Sequence, residues 1–279
     1  MLAEKSLVEI IHERVSSKTL QLPVFHHVAL KLMKVLAQED YSIAQVAQMI
    51  IEDQALSSHV LRMANSAFFG GLSKVTTIRD AIVRLGAKQV TNVVTVVTQS
   101  QQYRTKDKTM AAYMQMLWQH SLGCALGTKW FAEKTGYKEL AQEGLLAGLL
   151  HDIGQLFLLK VLEDVQASEP KLALSKPVIV EVLQHMHVEQ GTILMQHWHI
   201  PELYGEVVRQ HHLETYDTSN TLLLMVRLVD MACKKAGIGL HQDPSLVLAT
   251  TAEAQALGAK EVVLAELEIM LEDAMTLSN

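Results

Sequence analysis

Helical spacing of apolar side chains runs through this sequence and restricts its fold more than any other feature. Val28, Leu32 and Val35 recur at intervals of three and four residues, which places them on one face of a helix. Residues 90–98, VTNVVTVVT, are rich in β-branched side chains, which favour strands. Their apolar positions nevertheless match the helical template, and no partner strand is visible nearby. The sequence therefore predicts an all-α fold.

Length and composition allow one large hydrophobic core or two modest ones. The chain has 279 residues, of which 49% are hydrophobic. Residues 100–109, SQQYRTKDKT, are polar and nearly free of core-forming side chains, as is typical of a boundary. We therefore expect two helical parts, residues 1–105 and residues 106–279.

Charge and hydropathy argue against several classes of protein. The formal net charge is −6 and no cluster of lysine and arginine stands out, so direct binding to nucleic acid is not expected. The most apolar stretch, residues 144–150, is far shorter than the roughly 18 residues that span a bilayer. The N-terminus does not have the pattern of a signal peptide, so we expect a cytoplasmic protein without membrane contact. Cys124 and Cys233, far apart in sequence, are interpreted as small core residues rather than a disulfide.

A histidine–aspartate pair, His151-Asp152, follows the apolar sequence EGLLAGLL and precedes Ile153-Gly154. We expect Gly154 to end the helix, so that the pair projects near a helix terminus. An imidazole beside a carboxylate suits a hard or borderline divalent metal, and it equally suits a structural hydrogen bond. The chain has 13 histidines, several of them close to acidic residues, so a wider cluster is worth considering.

Five further residues of the second part complete an ordered series of candidate ligands. Asp230 is a carboxylate in an otherwise apolar helical sequence, where an unpaired buried charge would be costly. One interpretation is a relic site whose side chains hydrogen-bond to one another. The cost of burying that many polar groups without partners favours bound metal instead. The candidate ligands are His120, His151, Asp152, His187, His211, His212 and Asp230. Histidines and carboxylates of this kind point to Fe, Mn, Zn or Mg, without a thiolate.

This ordered series closely resembles the HD phosphohydrolase superfamily, and within it the arrangement of the HD-GYP phosphodiesterases. The resemblance implies an all-helical fold in which Asp152 bridges two divalent metal ions. It also implies hydrolysis by a metal-activated water that attacks phosphorus, in which Asp152 would be the catalytic residue. Such chemistry is sound, since a divalent metal lowers the pKa of bound water and two metals clamp the developing charge.

The first part of the chain contains three distinctive segments: LPVF at 22–25, IIEDQALSSHVLRMANSAFFG at 50–70 and TIRDAIVRLGAKQV at 77–90. In this order they resemble the HDOD family, the HD-related output domain of bacterial signalling proteins. The resemblance implies an HD-like helical bundle preceded by an N-terminal helical subdomain, from about residue 22 to the acidic tail. Asp53 is interpreted as a helix-dipole residue and Asn65-Ser66 as a local cap and turn.

Three departures from the HD-GYP pattern limit what the resemblance implies. Gln155 stands where those enzymes have a lysine that could meet substrate phosphate. The sequence after the histidine pair, LETYDTSN, contains no Gly-Tyr-Pro loop. Met116 replaces a glutamate one helical turn before His120, so a third metal ion is not expected.

Two functions remain open from the sequence. The first is a regulatory HDOD protein that uses its metal site to bind a phosphate-containing small molecule or a signalling partner. The alternative is a metal-dependent phosphohydrolase that acts on nucleotides or cyclic nucleotides. Whether the chain is an enzyme stays open at this point.

Overall fold

The computed structural model describes residues 7–16, 25–38, 40–65, 74–169 and 174–276. Within those ranges the chain forms α-helices and short 3-10 helices and contains no strand, which confirms the predicted all-α fold. The helices are α1 (Leu7–Ser16), α2 (His27–Leu36), α3 (Ile43–Ile51), α4 (Gln54–Ala64), α5 (Ile78–Leu85), α6 (Ala87–Gln102), α7 (Lys108–Lys134), α8 (Ala141–Leu150), α9 (Ile153–Ser168), α10 (Lys176–Trp198), α11 (Glu202–Gln210), α12 (Thr221–Lys235), α13 (Ala252–Ala256) and α14 (Glu261–Thr276). Short 3-10 helices cover Lys138–Leu140 and Leu248–Thr250.

The chain folds into two compact units, and one of the boundaries between them lies between Gln102 and Tyr103. One unit consists of residues 24–102, and the other combines residues 1–23 with residues 103–279. The expected parts, 1–105 and 106–279, grouped the first 23 residues differently. Helix α1 packs against α9, where Arg14 bonds to Ser168 and lies 3.3 Å from Asp164.

The smaller unit is built around α6, against which α2, α4 and α5 pack. Residues 90–98 lie in α6, so the helical template describes this segment correctly despite its β-branched content. Asp53 caps α4 by accepting a hydrogen bond from the Leu56 amide at 2.8 Å, as expected for a residue at a helix N-terminus. Asn65 bonds to both backbone groups of Val75, whereas Ser66 and residues 22–24 lie outside the described residues.

Helices α7 to α10 form the core of the larger unit, with α12 and α14 packed on α7. The α7–α8 contact is very close at Gly148, where an added Cβ would lie 2.4 Å from the Cys124 carbonyl oxygen. Only glycine leaves room for two helix backbones at that separation. Leu267 and Leu271 of α14 are fully buried, so the acidic tail contributes a core face.

The stretch Lys138–Ser168 is apolar and long enough to cross a membrane when only length and composition are considered. This stretch is longer than the run at 144–150 that the sequence singled out. However, 94% of its most apolar window is buried within the structure, as in the core of a soluble protein. The chain also breaks here into α8 and α9, and the break falls at His151 and Asp152.

Candidate metal centre

Six helices of the larger unit bring all seven predicted ligands to one place. The middle of α7 supplies one histidine, and the break between α8 and α9 supplies the histidine–aspartate pair. Helix α10, the C-terminal end of α11 and the middle of α12 supply the rest. These residues are His120, His151, Asp152, His187, His211, His212 and Asp230. Six of the seven side chains are buried, and His212 is the exposed member.

Gly154 does not end a helix, contrary to the expectation from sequence. Helix α8 already ends at Leu150, and Gly154 lies in the first turn of α9. A Cβ at Gly154 would lie 1.9 Å from the backbone oxygen of His187, so the residue must be glycine for α9 and α10 to approach. The role of this glycine is therefore to let α9 and α10 come close, which brings Asp152 near His187; it does not end a helix.

Asp152 occupies the N-cap position of α9, yet its carboxylate makes no capping hydrogen bond. Aspartate at this position ordinarily accepts a bond from the first-turn amides. Here Oδ1 lies 3.3 Å from His187 Nε2 and 3.2 Å from His211 Nε2. Oδ2 lies 3.4 Å from His120 Nε2 and 3.5 Å from His151 Nε2. One carboxylate thus faces two pairs of imidazoles on its two sides.

Backbone carbonyls fix the orientation of the surrounding imidazoles. The Nδ1 atoms of His151, His187 and His211 each lie 2.8 Å from a carbonyl of the preceding helical turn. His120 Nδ1 lies 3.2 Å from the Ile238 carbonyl. Because a carbonyl oxygen only accepts, each Nδ1 carries the proton, and a neutral ring then turns the lone pair of Nε2 inward.

The inward-facing atoms would repel one another if nothing lay between them. Two Nε2 atoms, those of His187 and His211, are only 3.3 Å apart. His151 Nε2 and Asp230 Oδ1 are buried and have no hydrogen-bond partner. Buried acceptors that face other acceptors need a proton or a cation, because leaving them unpaired is costly. The arrangement therefore fits a bound cation.

The ligand atoms separate into two groups, each with its atoms within 4.8 Å of one another. We call His120, Cys124, His151 and Asp230 the first half-site. We call Asp152, His187, His211 and His212 the second half-site. Asp152 also reaches the first half-site through Oδ2, so it stands between the two.

Burial and charge hold most of these groups in the protonation states that a metal requires. Burial lowers the pKa of His151 to about 4 and also lowers the pKa of His187, so both are neutral at pH 7. Burial opposes ionisation of Asp152, but the four neighbouring imidazoles together hold its pKa well below the ordinary value. Metal ligands must be neutral imidazoles and ionised carboxylates, which these are.

His120 differs from the other imidazoles. Burial would lower its pKa, yet the carboxylates of Asp152 and Asp230, 3.4 Å and 3.3 Å from its Nε2, raise that pKa well above the ordinary value. A metal ion would take the place of the proton that His120 otherwise holds between these two carboxylates.

Asp230 has a partner that the sequence analysis missed. Lys234, one helical turn later on α12, donates to Asp230 Oδ2 at 2.6 Å. Burial opposes ionisation of Asp230, and His120 and Lys234 outweigh it, so its pKa lies below the ordinary value. The i, i+4 spacing of the aspartate and the lysine was the available signal.

Cys124 and Gln155 were also missed as members of the cluster. Cys124 follows His120 by one helical turn, and its Sγ lies 3.7 Å from His120 Nε2. Gln155 donates from Nε2 to Asp152 Oδ2 at 2.7 Å, so it orients the carboxylate without adding charge.

Arg227 supports the turn that carries His211 and His212. Its Nη1 donates to the carbonyl oxygens of Gln210, His211 and Leu213 at 2.8 to 3.1 Å. Its Nε bonds to the buried Glu253 at 2.7 Å. This arginine stabilises the histidine pair where the sequence contains no Gly-Tyr-Pro loop.

Comparison with known proteins places the chain within a family. The family model described as the HDOD domain matches residues 22–214. A curated protein of Treponema pallidum (strain Nichols), described as uncharacterized, is 23% identical over 188 residues. The match covers 66% of this chain but 36% of that protein, so the matched part of this chain spans about a third of the length of its curated relative.

Three solved structures share the fold. An HDOD domain protein of unknown function from Geobacter sulfurreducens has a TM-score of 0.72 and 23% identity, with 96% of this chain and 94% of that one covered. A protein of Shewanella amazonensis SB2B, provisionally described as a metal-dependent phosphohydrolase, has a TM-score of 0.64 and 19% identity, with 95% of this chain and 97% of that one covered. A protein of Marinobacter aquaeolei VT8, provisionally described as a signal transduction protein, has a TM-score of 0.71 and 22% identity, with 97% of this chain and 64% of that one covered. At these identities the likeness extends to the fold alone.

Proposed function

Because the chain belongs to the HDOD domain family, we propose that it is a bacterial, cytoplasmic signal-transduction protein with a divalent metal centre in its larger unit. It would act by binding a phosphate-containing small molecule or a signalling protein partner. One observation carries the metal centre: inward Nε2 atoms converge on the carboxylate of Asp152, and backbone carbonyls hold their Nδ1 atoms.

The donor chemistry supports two ions. Oδ1 of Asp152 would serve the second half-site and Oδ2 the first, so that this one carboxylate bridges them. Imidazole-rich sites suit Fe or Zn, and carboxylates extend the choice to Mn; Mg is the least suited of the four candidates. When bound, such an ion polarises a phosphoryl oxygen and lowers the pKa of a coordinated water.

Two features of this chain's own residues favour binding over turnover. Gln155 is uncharged and its amide is bonded to Asp152, so it brings no cation toward a phosphate. The ammonium of Lys234 is bonded to Asp230. Neither residue supplies a free positive charge to an anionic transition state, which phosphoryl-transfer sites commonly use.

A second candidate function, metal-dependent phosphohydrolase, is favoured by the bridging position of Asp152. Two metal sites that share a carboxylate are the arrangement that clamps both the attacking and the leaving oxygen of a phosphoryl group. In that case Asp152 would be the catalytic residue that holds both ions, and His212 would lie at the solvent-exposed edge where substrate enters.

Metal content tests the centre itself. Purified protein should contain divalent metal by elemental analysis, and the double variant His151→Ala/Asp152→Ala should lose it. The exposed His197 is not part of the cluster, so His197→Ala is the matched control and should keep its metal. Unchanged metal content in the double variant would rule out the assigned residues.

Turnover separates the two functions. Protein loaded with Fe, Mn, Zn or Mg is assayed on phosphomonoesters, cyclic mononucleotides and cyclic dinucleotides. We expect binding of such a ligand without hydrolysis. Metal-dependent hydrolysis that Asp152→Ala abolishes and His197→Ala retains would establish the enzyme instead.

A further inference from the structure

We propose that Cys124 is a metal ligand of the first half-site and makes that half-site selective for a thiophilic ion such as Zn²⁺. The inference rests on the metal centre proposed above and goes beyond it, because it changes the donor set from nitrogen and oxygen alone. It also gives the two half-sites different preferences.

The position of Cys124 on α7 places its sulfur beside a ligand. Residues four apart on a helix lie on one face, and Cys124 follows His120 at that spacing. The Cys124 Sγ lies 3.7 Å from His120 Nε2 and within 4.8 Å of the ligand atoms of His151 and Asp230. The thiol is completely buried.

Two buried atoms point to a ligand at this position. His151 Nε2 belongs to a completely buried side chain and has no hydrogen-bond partner, and the buried Asp230 Oδ1 lies 3.3 Å from His120 Nε2 without forming a well-aligned hydrogen bond. A cation among these two atoms, His120 Nε2 and the Cys124 sulfur would satisfy all four. With the bridging Oδ2 of Asp152, these two imidazoles, the Asp230 carboxylate and the thiolate form a nitrogen, oxygen and sulfur donor set of the kind that zinc accepts.

The thiol becomes a ligand only when an ion is present. Burial raises the pKa of Cys124 well above its ordinary value, and the neighbouring Cys233 raises it further. Without metal the sulfur therefore keeps its proton. As the sulfur–metal bond forms, the S–H proton leaves to solvent, because a metal-coordinated thiol is deprotonated outright.

The second half-site contains only nitrogen and oxygen donors. Imidazole and carboxylate without sulfur suit Fe or Mn, whereas an added thiolate shifts preference toward Zn. The structure therefore favours a mixed centre, with Zn²⁺ in the first half-site and a redox-active or harder ion in the second.

Cys233 provides a matched control for Cys124. Its Sγ lies 3.7 Å from that of Cys124, and it too is completely buried, but it is not among the grouped ligand atoms. A substitution at Cys233 therefore perturbs the same part of the core without removing the proposed ligand.

Cobalt is the probe, because a thiolate bound to Co²⁺ gives a sulfur-to-metal charge-transfer band in the near ultraviolet. Metal-free protein is titrated with Co²⁺, and bound cobalt is counted by elemental analysis. We expect the band in the wild type and in Cys233→Ser, and its loss in Cys124→Ser. Zinc X-ray absorption of the wild type should also show a sulfur neighbour at about 2.3 Å, independently of any variant.

The outcomes distinguish this inference from the metal centre. Bound cobalt without the band, or no sulfur neighbour around zinc, overturns the role of Cys124 and leaves the centre intact. A band that survives Cys124→Ser, or that disappears in Cys233→Ser, also overturns it. Absence of bound metal in the wild type overturns both.

Discussion

Replacement of Gly154 by alanine tests how closely α9 must approach α10. The new Cβ would lie 1.9 Å from the His187 carbonyl oxygen, 2.7 Å from the Gly191 amide nitrogen and 2.8 Å from the His187 carbonyl carbon. All three atoms belong to the backbone, so no side-chain rotation relieves the contact. Real Cβ contacts are essentially never shorter than 3.0 Å, so the two helices must separate by at least 1.1 Å.

Two opposing energies determine the size of the effect. Overpacking costs typically 1–3 kcal/mol and occasionally more, and a backbone clash on this scale belongs at the upper end. Alanine is a better helix former than glycine by about 1 kcal/mol, which acts in the opposite direction. We expect Gly154→Ala to destabilise the protein by about 2–3 kcal/mol. At about 2–4 °C per kcal/mol for a chain of this size, Tm should fall by roughly 5–10 °C.

Thermal and urea unfolding, followed by circular dichroism, measure this effect. Gly136→Ala is the matched control, because a Cβ there meets nothing within 4 Å, and its Tm should stay near that of the wild type. Gly154→Ala should also lose metal, because His187 moves with α10 away from Asp152. Equal stability of the two variants would refute the assignment of Gly154 as a close-approach glycine.

Two further predictions concern the support of the histidine turn. Arg227→Met removes three bonds to carbonyl oxygens and leaves Glu253 buried without its cation, so urea unfolding should show a loss of about 3 kcal/mol together with lower metal content. Arg209→Met removes only a bond to the exposed Glu202 and should change stability by less than about 0.5 kcal/mol, and a loss as large as that of Arg227→Met would contradict the argument. Burial opposes ionisation of Glu253, but Arg227 and Tyr216 lower its pKa below the ordinary 4.5. Glu253→Gln should therefore lower the free energy of unfolding by its full amount at pH 7. The difference between wild type and variant should become smaller in urea titrations below pH 4.5, and a difference that grows in acid would refute the argument.

The fold and the family were both predictable from the sequence, because each depends on local pattern. Residues 90–98 show this well: β-branched content favoured a strand, yet helical spacing of the valines gave the correct element, α6. The HDOD resemblance rested on short segments in order, and the family match confirms it.

The organisation of the cluster was only partly predictable. The ordered series indicated which residues belong together, but the role of Gly154 depends on a contact with α10 that no local pattern reveals. Cys124 was set aside because the sequence separates it from Cys233 by more than a hundred residues, whereas the packing of α12 on α7 brings the two sulfurs into contact. The position of helix α1 was also not predictable from local pattern, because its association with α9 depends on long-range packing.

The two oxygens of Asp152 make the half-sites thermodynamically dependent on each other. Each half-site draws on the same single negative charge, so an ion bound through Oδ1 leaves less charge for an ion at Oδ2. Linkage requires this penalty to be reciprocal: whatever the first ion costs the second, the second costs the first. Two metal ions in this protein should therefore bind in separate steps, with the second weaker than the donor set alone would suggest.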